Sequence, residues 1–337
     1  MRPYLAPEPL RPAEHGPVPT FSVVIAAFQV ADLAPSAVAS ALAQTVPPHE
    51  VIVCDDGSTD NLELALAPFR DRIVYLRTEN RGEASAKNTA ARAASGDFVA
   101  ILDADDVYLP ERLEALGELA SARPDLDIVT TDAYLEVDGR IVRRCYDADW
   151  PFEVADQRRA ILERNFVFGL AAVRRERLLA GGGFDESLRW TTDWDCWLRL
   201  ILDGAHAGSV LEPLARYRLR EQSLSANRSR LVEGRVSTLR KARRNPSLPP
   251  EERPTLARSL ARQEGELAFL KACDALLAAD PAARRHCLAL ATGRNISAGV
   301  RLRGAVAGVA PGLARRWLRR RRGAVWVGAA GVRVTRR

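Results

Sequence analysis

The sequence has few of the residues that build metal clusters or disulfide frameworks. Its 337 residues include five Cys and four His, with no CxxC pair and no Cys/His group at zinc-binding spacing. This pattern disfavours a structural zinc site and indicates reduced thiols, as in a cytoplasmic protein.

Several signature motifs are also missing. The chain has no GxxxxGK[ST] phosphate loop, no GxGxxG after its first predicted strand and no GxSxG. These absences disfavour a P-loop NTPase, a dinucleotide-dependent oxidoreductase and an α/β-hydrolase. No apolar run approaches the roughly 20 residues needed to cross a bilayer. The Pro-rich residues 1–20 are expected to form a loose leader and do not resemble a signal peptide.

Acidic residues are absent from the end of the chain. Residues 281–337 contain 14 Arg and no Asp or Glu, whereas residues 1–280 carry 35 basic and 43 acidic side chains, a net charge of −8. The formal net charge of +6 therefore combines an acidic body with a basic tail, and a single charge value does not describe the protein.

Apolar periodicity predicts alternating strands and helices. Strands are predicted at 21–27, 50–56, 73–77 and 97–104, and helices at 33–45, 61–69, 82–95 and 110–122. This order is typical of a parallel sheet with helices on both faces. Residues 127–144 predict a fifth strand and a hairpin that turns at Asp138-Gly139. From about residue 228 the chain is rich in Ala, Leu and Arg, which predicts a helical appendage.

Two acidic clusters, CDDGSTD and LDADD, stand at the carboxyl ends of predicted strands. Ligands bind at that edge of such sheets, so we expect Asp56 and Asp105 to contact a ligand. Asp60 and Asp106 precede predicted helices, where helix capping is an equal alternative. Carboxylates this close repel one another, and Mg²⁺ or Mn²⁺ shared with a diphosphate would offset them.

Residues 21 to about 225 resemble the family 2 glycosyltransferases with a GT-A fold. The stretches that carry the resemblance follow the family's order: FSVVIAAFQ, VIVCDDGSTDN, TENRGEASAKNTAARAASGDFVAILDADDVYLPERL, GGFDESLRWTTDWDCWLRL and PLARYRLREQSLS. The resemblance implies an α/β fold with a Rossmann-like mixed sheet flanked by helices, followed by the C-terminal α-helical appendage. We therefore expect a loose leader (1–20), a GT-A catalytic domain (21–225), a helical appendage (226–300) and a basic amphipathic tail (301–337).

The resemblance also implies a nucleotide-sugar site. Asp56, with Asp55 beside it, would accept a hydrogen bond from the nucleobase, and the ring N–H of uracil is the expected donor. Phe28 matches the aromatic position that stacks on the base, with a core position as an equal alternative. Lys87 stands where the family commonly has Arg and would meet phosphate or neighbouring carboxylates; a solvated helix charge is the alternative. Asp103, the first residue of the DxD motif, would hydrogen-bond the ribose.

The metal ligand and the catalytic base follow from the same resemblance. Asp105 would ligate Mg²⁺ or Mn²⁺, which would bridge the diphosphate. Asp193 matches the carboxylate that acts as general base toward the acceptor hydroxyl in inverting transfer. Asp195, two residues on along a helix, would face elsewhere. Arg220 departs from the family, where many members have a His at this position, and Arg cannot ligate a metal.

Tryptophan is concentrated near this predicted base. We expect Trp197 and Leu198 to pack inward, and either Trp190 or Trp194 to be available for stacking on a sugar ring. A core position is the alternative for each Trp.

The tail predicts a short basic amphipathic helix after Pro311. Leu313, Trp317 and Leu318 fall near one face, and the rest is crowded by Arg315, Arg316, Arg319 and Arg320. The apolar GAVWVGAAGV that follows is too short to span a bilayer. This pattern suits peripheral attachment to an anionic membrane surface. Packing of the helix on the acidic body is an alternative, and nucleic-acid binding is disfavoured because no recognition motif is present.

Together these features predict an inverting glycosyltransferase that is cytoplasmic, with peripheral attachment to the inner face of the membrane. It would move a sugar from a nucleotide donor, a UDP-sugar, to a hydroxyl of a saccharide or lipid-linked saccharide in cell-surface polysaccharide or glycan biosynthesis. One alternative is a sugar nucleotidyltransferase, whose basic loop near the first strand is missing. The other is a non-catalytic saccharide-binding or scaffold protein, which the intact DxD motif and Asp193 disfavour.

Overall fold

The computed structural model describes residues 18–220, 228–293, 296, 298–321, 324–327 and 332–335, with the backbone alone from residue 320 onward. Four parallel strands and their helices open the fold: β1 (Phe21–Ala27), α1 (Ala34–Leu42), β2 (Glu50–Asp55), α2 (Leu62–Ala65), a 3₁₀ turn (Ala67–Arg72), β3 (Val74–Arg77), α3 (Glu83–Ala93) and β4 (Phe98–Ile101). β1 pairs in parallel with β2 and β4, and β2 with β3. The helix predicted at 61–69 is split because Pro68, which has no N–H to donate, lies in the first turn of the 3₁₀ segment.

The second half of the sheet contains both parallel and antiparallel strand pairs. Its elements are β5 (Val107–Tyr108), α4 (Arg112–Ala122), β6 (Ile128–Val137), β7 (Arg140–Arg144), α5 (Gln157–Glu163), β8 (Ala172–Arg174), α6 (Arg175–Ala180), α7 (Thr192–Leu202) and β9 (Ala207–Leu219). The mixed sheet has the order β3-β2-β1-β4-β8-β6-β9-β5, and β7 pairs with β6. The predicted hairpin is confirmed, since Asp138 and Gly139 both have positive φ, 51° and 74°, at the β6–β7 turn.

The helix-capping alternative is wrong for both Asp60 and Asp106. Asp60 accepts a hydrogen bond at Oδ2 from the N–H of Ala31 (2.8 Å), so it joins the loop after β2 to the loop after β1. Asp106 precedes β5, since α4 begins only at Arg112, and its Oδ1 accepts from the N–H of Arg218 (2.8 Å). Asp60 therefore connects two loops, and Asp106 connects the segment before β5 to the strand that contains Arg218.

The hydrophobic core has one large cluster on each face of the sheet. Successive side chains of a strand point to opposite faces, and in β1 this places Val24 in one cluster and Val23 and Ile25 in the other. The strand is buried on both faces, as strands covered by helices on both sides are.

The remaining described elements are α8 (Arg228–Ala242), α9 (Arg253–Ala278), α10 (Ala283–Thr292), α11 (Ala298–Val309), α12 (Pro311–Arg321), β10 (Ala324–Val327) and β11 (Val332–Thr335). The helices predicted from residue 228 are thus present. Val236, Leu239, Leu256 and Leu260 of α8 and α9 belong to the same cluster as Trp194 and Trp197 of α7. The expected boundary near residue 226 therefore marks a change of element type within one continuous core.

A third, smaller cluster joins the end of α9 to α10, and Ala314 and Leu318 of α12 pack against it. None of the described helices is both long and apolar enough to cross a membrane. The five Cys are free thiols. The predicted leader up to residue 17, the EQSLS stretch, the Arg320 side chain and the side chains of GAVWVGAAGV lie outside the described residues.

Candidate active site

A cleft of about 1360 Å³ opens at the carboxyl ends of the parallel strands. Its lining includes six of the seven residues predicted for the site: Phe28, Asp56, Lys87, Asp103, Asp105 and Asp193. The seventh, Asp55, is fully buried and does not line the cleft. The fold therefore brings the two acidic clusters of the first 106 residues together with a carboxylate from α7.

Asp55 and Asp56 are neighbours in sequence with different surroundings. Asp55 accepts hydrogen bonds from Ser58 N–H (2.7 Å), Tyr75 Oη (2.7 Å) and Arg77 (2.8 Å). Burial opposes the charge of Asp55, but these bonds and the Arg77 guanidinium lower the pKa of its carboxyl. Asp55 thus holds the end of β2 together.

The Asp56 carboxylate faces the cleft and fixes the loop before α3. Its two oxygens accept the main-chain N–H groups of Arg81 and Gly82, each at 2.8 Å. Gly82 has φ of 98°, a conformation that favours glycine, so this approach of backbone to carboxylate depends on the residue type.

Phe28 follows β1 and is 46% exposed at the cleft. The core position considered for this residue is therefore wrong. An exposed ring beside a pocket of polar groups is available to stack on a planar ligand.

Lys87 is buried on α3, so the solvated helix charge is also wrong. Its Nζ lies 2.8 Å from Asp103 Oδ1 and also contacts the carboxylate of Glu83 one turn earlier. Burial alone would lower the pKa of Lys87, but Asp103 and Glu83 together raise it. A fixed cation therefore stands beside the first residue of the DxD motif.

Asp105 is paired with Arg220, whose guanidinium lies 2.9 Å from Asp105 Oδ2. Burial and the neighbouring Asp103 raise the pKa of Asp105, against the effect of Arg220. Burial, Asp105 and Asp103 also raise the pKa of Asp106. The acidic cluster is thus offset, in the protein alone, by Lys87 and Arg220.

The described residues contain no group of three His, Cys, Asp or Glu arranged to hold a metal ion. Asp103 and Asp105 nevertheless offer the hard carboxylate oxygens that Mg²⁺ and Mn²⁺ prefer. Their ion pairs with Lys87 and Arg220 use one oxygen of each carboxylate. Asp103 and Asp105 therefore fit a cation that takes its other ligands from a diphosphate and water. The two carboxylates do not form a complete metal site by themselves.

Asp193 lies in the first turn of α7 and lines the same cleft. Its Oδ2 accepts a hydrogen bond from Nδ2 of Asn165 (3.0 Å). Burial raises the pKa of Asp193, and this outweighs its hydrogen bonds and the more distant charge of Lys87. A raised carboxyl pKa makes this group a better proton acceptor than an ordinary Asp.

The residues around Asp193 separate into cleft and core. Asp195 turns away, as predicted, and pairs with Arg199 (2.8 Å) and Lys241 (3.0 Å), which ties α7 to α8. Trp194 is buried and donates Nε1–H to the carbonyl of Ile161 (2.9 Å). The core alternative therefore applies to Trp194, which is not available to stack on a sugar.

Trp197 is fully buried and Leu198 nearly so, which confirms their inward packing. Trp190 is half-buried and lines the cleft, with Arg230 5.5 Å from the centre of its ring.

Sequence reasoning missed the contribution of the helical appendage and of Asn165. Leu231 and Arg235 of α8, together with Arg262 and Gln263 of α9, line the cleft on the side of Asp193. Gly234 permits this close packing, since a Cβ there would lie 2.6 Å from Cβ of Trp190. No local pattern marks these residues, because their position depends on contacts between distant parts of the chain.

The chain is similar to known glycosyltransferases. The family model described as "Glycosyl transferase family 2" matches residues 22–179. An uncharacterized glycosyltransferase of Rickettsia prowazekii is 31% identical over 187 residues, 54% of this chain and 59% of that protein. TuaG of Bacillus subtilis, named as a teichuronic acid biosynthesis glycosyltransferase, is 31% identical over 215 residues, 62% of this chain and 83% of that protein.

Solved structures show the same fold. Residues 1–349 of S. aureus TarS in complex with UDP-GlcNAc match with a TM-score of 0.59 and 17% identity, over 90% of this chain and 91% of that one. The mannosyltransferase PcManGT of Pyrobaculum calidifontis, in complex with GDP-Man and Mn²⁺, matches with a TM-score of 0.55 and 22% identity, over 89% of this chain and 83% of that one. The expected GT-A fold is confirmed. The chain spans 59% of the length of the Rickettsia relative.

Proposed function

Because the chain belongs to glycosyltransferase family 2, we propose that it transfers a sugar from a UDP-sugar to a hydroxyl of a saccharide or lipid-linked saccharide, with inversion at the anomeric carbon. One observation carries the proposal: Asp193, with its raised pKa, lines the same cleft as Asp56, Asp103 and Asp105. The proposed nucleotide-binding residues and the proton acceptor are therefore accessible from the same cleft.

The donor half of the cleft is assigned as follows. Phe28 stacks on the base and Asp56 accepts the N–H of the base, while Asp55 holds the end of β2 that Asp56 follows. Asp103 binds the ribose, and Lys87 beside it compensates negative charge as the diphosphate binds. The TarS structure holds UDP-GlcNAc, which supports a uridine donor for this chain. The mannosyltransferase structure holds GDP-Man, which would favour a guanosine donor instead.

In the reaction, the acceptor hydroxyl attacks the anomeric carbon as the bond from that carbon to the diphosphate oxygen breaks. Asp193 takes the proton of the hydroxyl, and UDP leaves from the opposite face of the sugar, which inverts the configuration. Asn165 holds Asp193 in place through its 3.0 Å hydrogen bond. Asp105 would hold Mg²⁺ or Mn²⁺ which, when bound, neutralises diphosphate charge and stabilises the leaving group.

The test is calorimetric titration of UDP and of GDP, with and without Mn²⁺, into the wild type and Asp105→Ala. We expect Mn²⁺-dependent UDP binding that the variant loses. Tight binding of GDP alone would overturn the uridine assignment and keep a nucleotide-sugar enzyme. A folded protein that binds neither nucleotide would contradict the donor site and favour the saccharide-binding scaffold.

The described tail supports attachment of the protein to the inner face of an anionic membrane. Leu302, Val306, Val309, Leu313 and Trp317 recur at helical spacing along α11 and α12, and all five are exposed. We call these five residues the apolar stripe. Leu318, predicted to lie near Leu313 and Trp317, instead packs against the third cluster.

Exposed arginines flank the apolar stripe: Arg301, Arg303, Arg316 and Arg319. The tail from residue 281 has no acidic residue to neutralise them. An apolar surface with basic neighbours is complementary to anionic headgroups above an acyl layer. A lipid-linked acceptor would be met at such a surface.

A further inference from the structure

The side of the cleft that holds Asp193 is rich in positive charge. Four arginines line it: Arg164 after α5, Arg189 before α7, Arg235 on α8 and Arg262 on α9. We call these four residues the arginine wall. They come from segments far apart in the sequence, so their convergence is a property of the fold.

Most carboxylates on this side are paired with other cations. Glu163 lies 3.3 Å from Arg159, and Glu186 lies 3.3 Å from Arg81. The third is Asp193, the proposed base. Within the arginine wall, Arg164 lies 4.0 Å from Glu153.

Two members of the arginine wall, Arg262 and Arg189, have no carboxylate partner among the described residues. Arg262 donates to the main-chain carbonyl of Glu163 (2.7 Å), which is neutral. The exposed Arg189 makes no ion pair or side-chain hydrogen bond with the residues that the structure describes. Both guanidiniums are exposed at the cleft, where an anionic ligand can reach them.

The guanidiniums of Arg228 and Arg262 lie near Arg235. Burial lowers the pKa of Arg235, and the nearby guanidiniums of Arg228 and Arg262 lower it further, against the effects of Glu266 and Asp193. Glu266 itself pairs with Arg228 (2.7 Å). An anion bound between α8 and α9 would relieve this repulsion.

Two buried acceptor atoms indicate that the same surface receives hydroxyl groups. Gln263 is 6% exposed and lines the cleft, yet its Oε1 has no hydrogen-bond partner in the described part of the chain. The same holds for Oδ1 of Asn165, beside Asp193. Buried polar atoms of proteins are normally paired, so these two are suited to accept from a ligand.

We propose that the acceptor is an acidic saccharide, whose carboxylate or phosphate groups bind the arginine wall while its hydroxyls donate to Gln263 and Asn165. This inference rests on the proposed glycosyl transfer and names the substrate class of its acceptor side. Arginine is the side chain best suited to carboxylate and phosphate, because its planar fork can bind two oxygens at once.

The experiment is calorimetric titration of three probes into the full chain saturated with UDP. The probes are a tetrasaccharide of alternating uronic acid and hexosamine, the same tetrasaccharide with its carboxyls reduced to alcohols, and a glycerol phosphate oligomer. We expect at least one acidic probe to bind about tenfold or more tightly than the reduced tetrasaccharide, with an affinity that falls as salt rises. Which acidic probe binds distinguishes carboxylate from phosphate.

The variants are Arg262→Gln, at an exposed position, and Arg235→Gln, with Arg235→Lys to restore the charge. The matched control is Arg258→Gln, one turn before Arg262 on α9 and outside the cleft lining. We expect the two cleft Gln variants to lose most of the preference for the acidic probe, and the control to keep it. If Arg235→Gln fails to fold, the probe preference of Arg262→Gln alone tests the inference.

Equal binding of acidic and reduced probes, binding of neither acidic probe, or a preference unchanged in Arg262→Gln would each overturn the inference. UDP binding is measured first on every sample. A protein that binds UDP and shows no acidic preference refutes the acidic acceptor alone, whereas loss of UDP binding by the wild type refutes the proposed function.

Discussion

Asn165 donates from Nδ2 to Oδ2 of Asp193 across 3.0 Å, and its own Oδ1 has no partner among the described residues. The amide thus orients the proposed base without neutralising it, while burial keeps the pKa of Asp193 raised. A base of this kind works only when ionised. Activity should therefore fall as the pH is lowered through that raised pKa, at a higher pH than an ordinary Asp would give.

Replacing Asn165 tests this relationship. Asn165→Asp puts a second carboxylate beside Asp193, which raises the pKa of the base further and moves the acidic limb of kcat/KM to higher pH. Asn165→Ala should lower kcat about 10-fold to 100-fold because the base is no longer held. The measurement is a pH profile of sugar transfer followed as UDP release. An unchanged acidic limb in Asn165→Asp would show that the two side chains do not interact during the reaction.

Lys87→Met should destabilise the protein and remove UDP binding. The change leaves Asp103 and Glu83 without the cation they share, and breaking a buried ion pair from one side costs about 3–5 kcal/mol. Urea unfolding and UDP titration measure the two effects. Arg240→Met is the control, since its pair with Glu264 is mostly exposed and should cost at most about 1 kcal/mol. Equal free energies of unfolding of the two variants would contradict a stabilising role of the ion pairs that Lys87 makes.

Asp55 and Asp56 should respond differently to the same change. Asp55→Asn weakens contacts with Ser58, Tyr75 and Arg77, and should cost about 2–3 kcal/mol of folding free energy with little loss of UDP affinity. Asp56→Asn should mainly reduce UDP affinity. Thermal unfolding and UDP titration separate the two outcomes, and equal losses of UDP affinity would show that both residues touch the nucleotide.

The stability contributed by Asp55 should also depend on pH. Its pKa is lowered in the folded protein, so the stabilisation is present above the unfolded pKa of Asp and disappears as the pH falls through the lower folded value. In Asp55→Asn this part of the acid dependence should be missing.

Leu313→Ala should weaken binding to anionic vesicles. Leu313 is 68% exposed on the apolar stripe, and loss of one inserted Leu should reduce vesicle affinity about tenfold. Leu211→Ala is the matched control, because Leu211 is 65% exposed on β9, away from the tail. Sedimentation with vesicles containing anionic or only neutral lipid gives the measurement. Equal binding to both lipid mixtures, or equal losses in both variants, would refute attachment through the stripe.

The sequence predicted what local patterns encode. Apolar runs and turn residues located the parallel strands and the β6–β7 hairpin, and the acidic residues after the strands located the cleft. The different roles of Asp55 and Asp56 carry no such local signal, because Asp55 ends a strand that is buried on both faces and Asp56 lies just beyond it.

Other features could not be predicted because they depend on contacts over long distances in the sequence. Nothing near Arg235 or Gln263 distinguishes α8 and α9 from an appendage that packs elsewhere. Asp106 looked like a helix cap because β5 has only two residues, too few to give an alternating pattern. Asn165 carries no signal of its own, since an isolated polar residue after a helix is common.

The hydrophobic cluster that runs from α7 into α9 also defines the unit that evolution or an engineer could exchange between relatives. A piece ending at residue 225 would lack Val236 and Leu260 of the cluster that contains Trp194 and Trp197, and would lack two of the four residues of the arginine wall. Acceptor specificity and folding stability therefore depend on the same two helices, α8 and α9. A chimera that takes its first nine strands from one protein and α8 and α9 from another would need both its core and its acceptor side adapted at once.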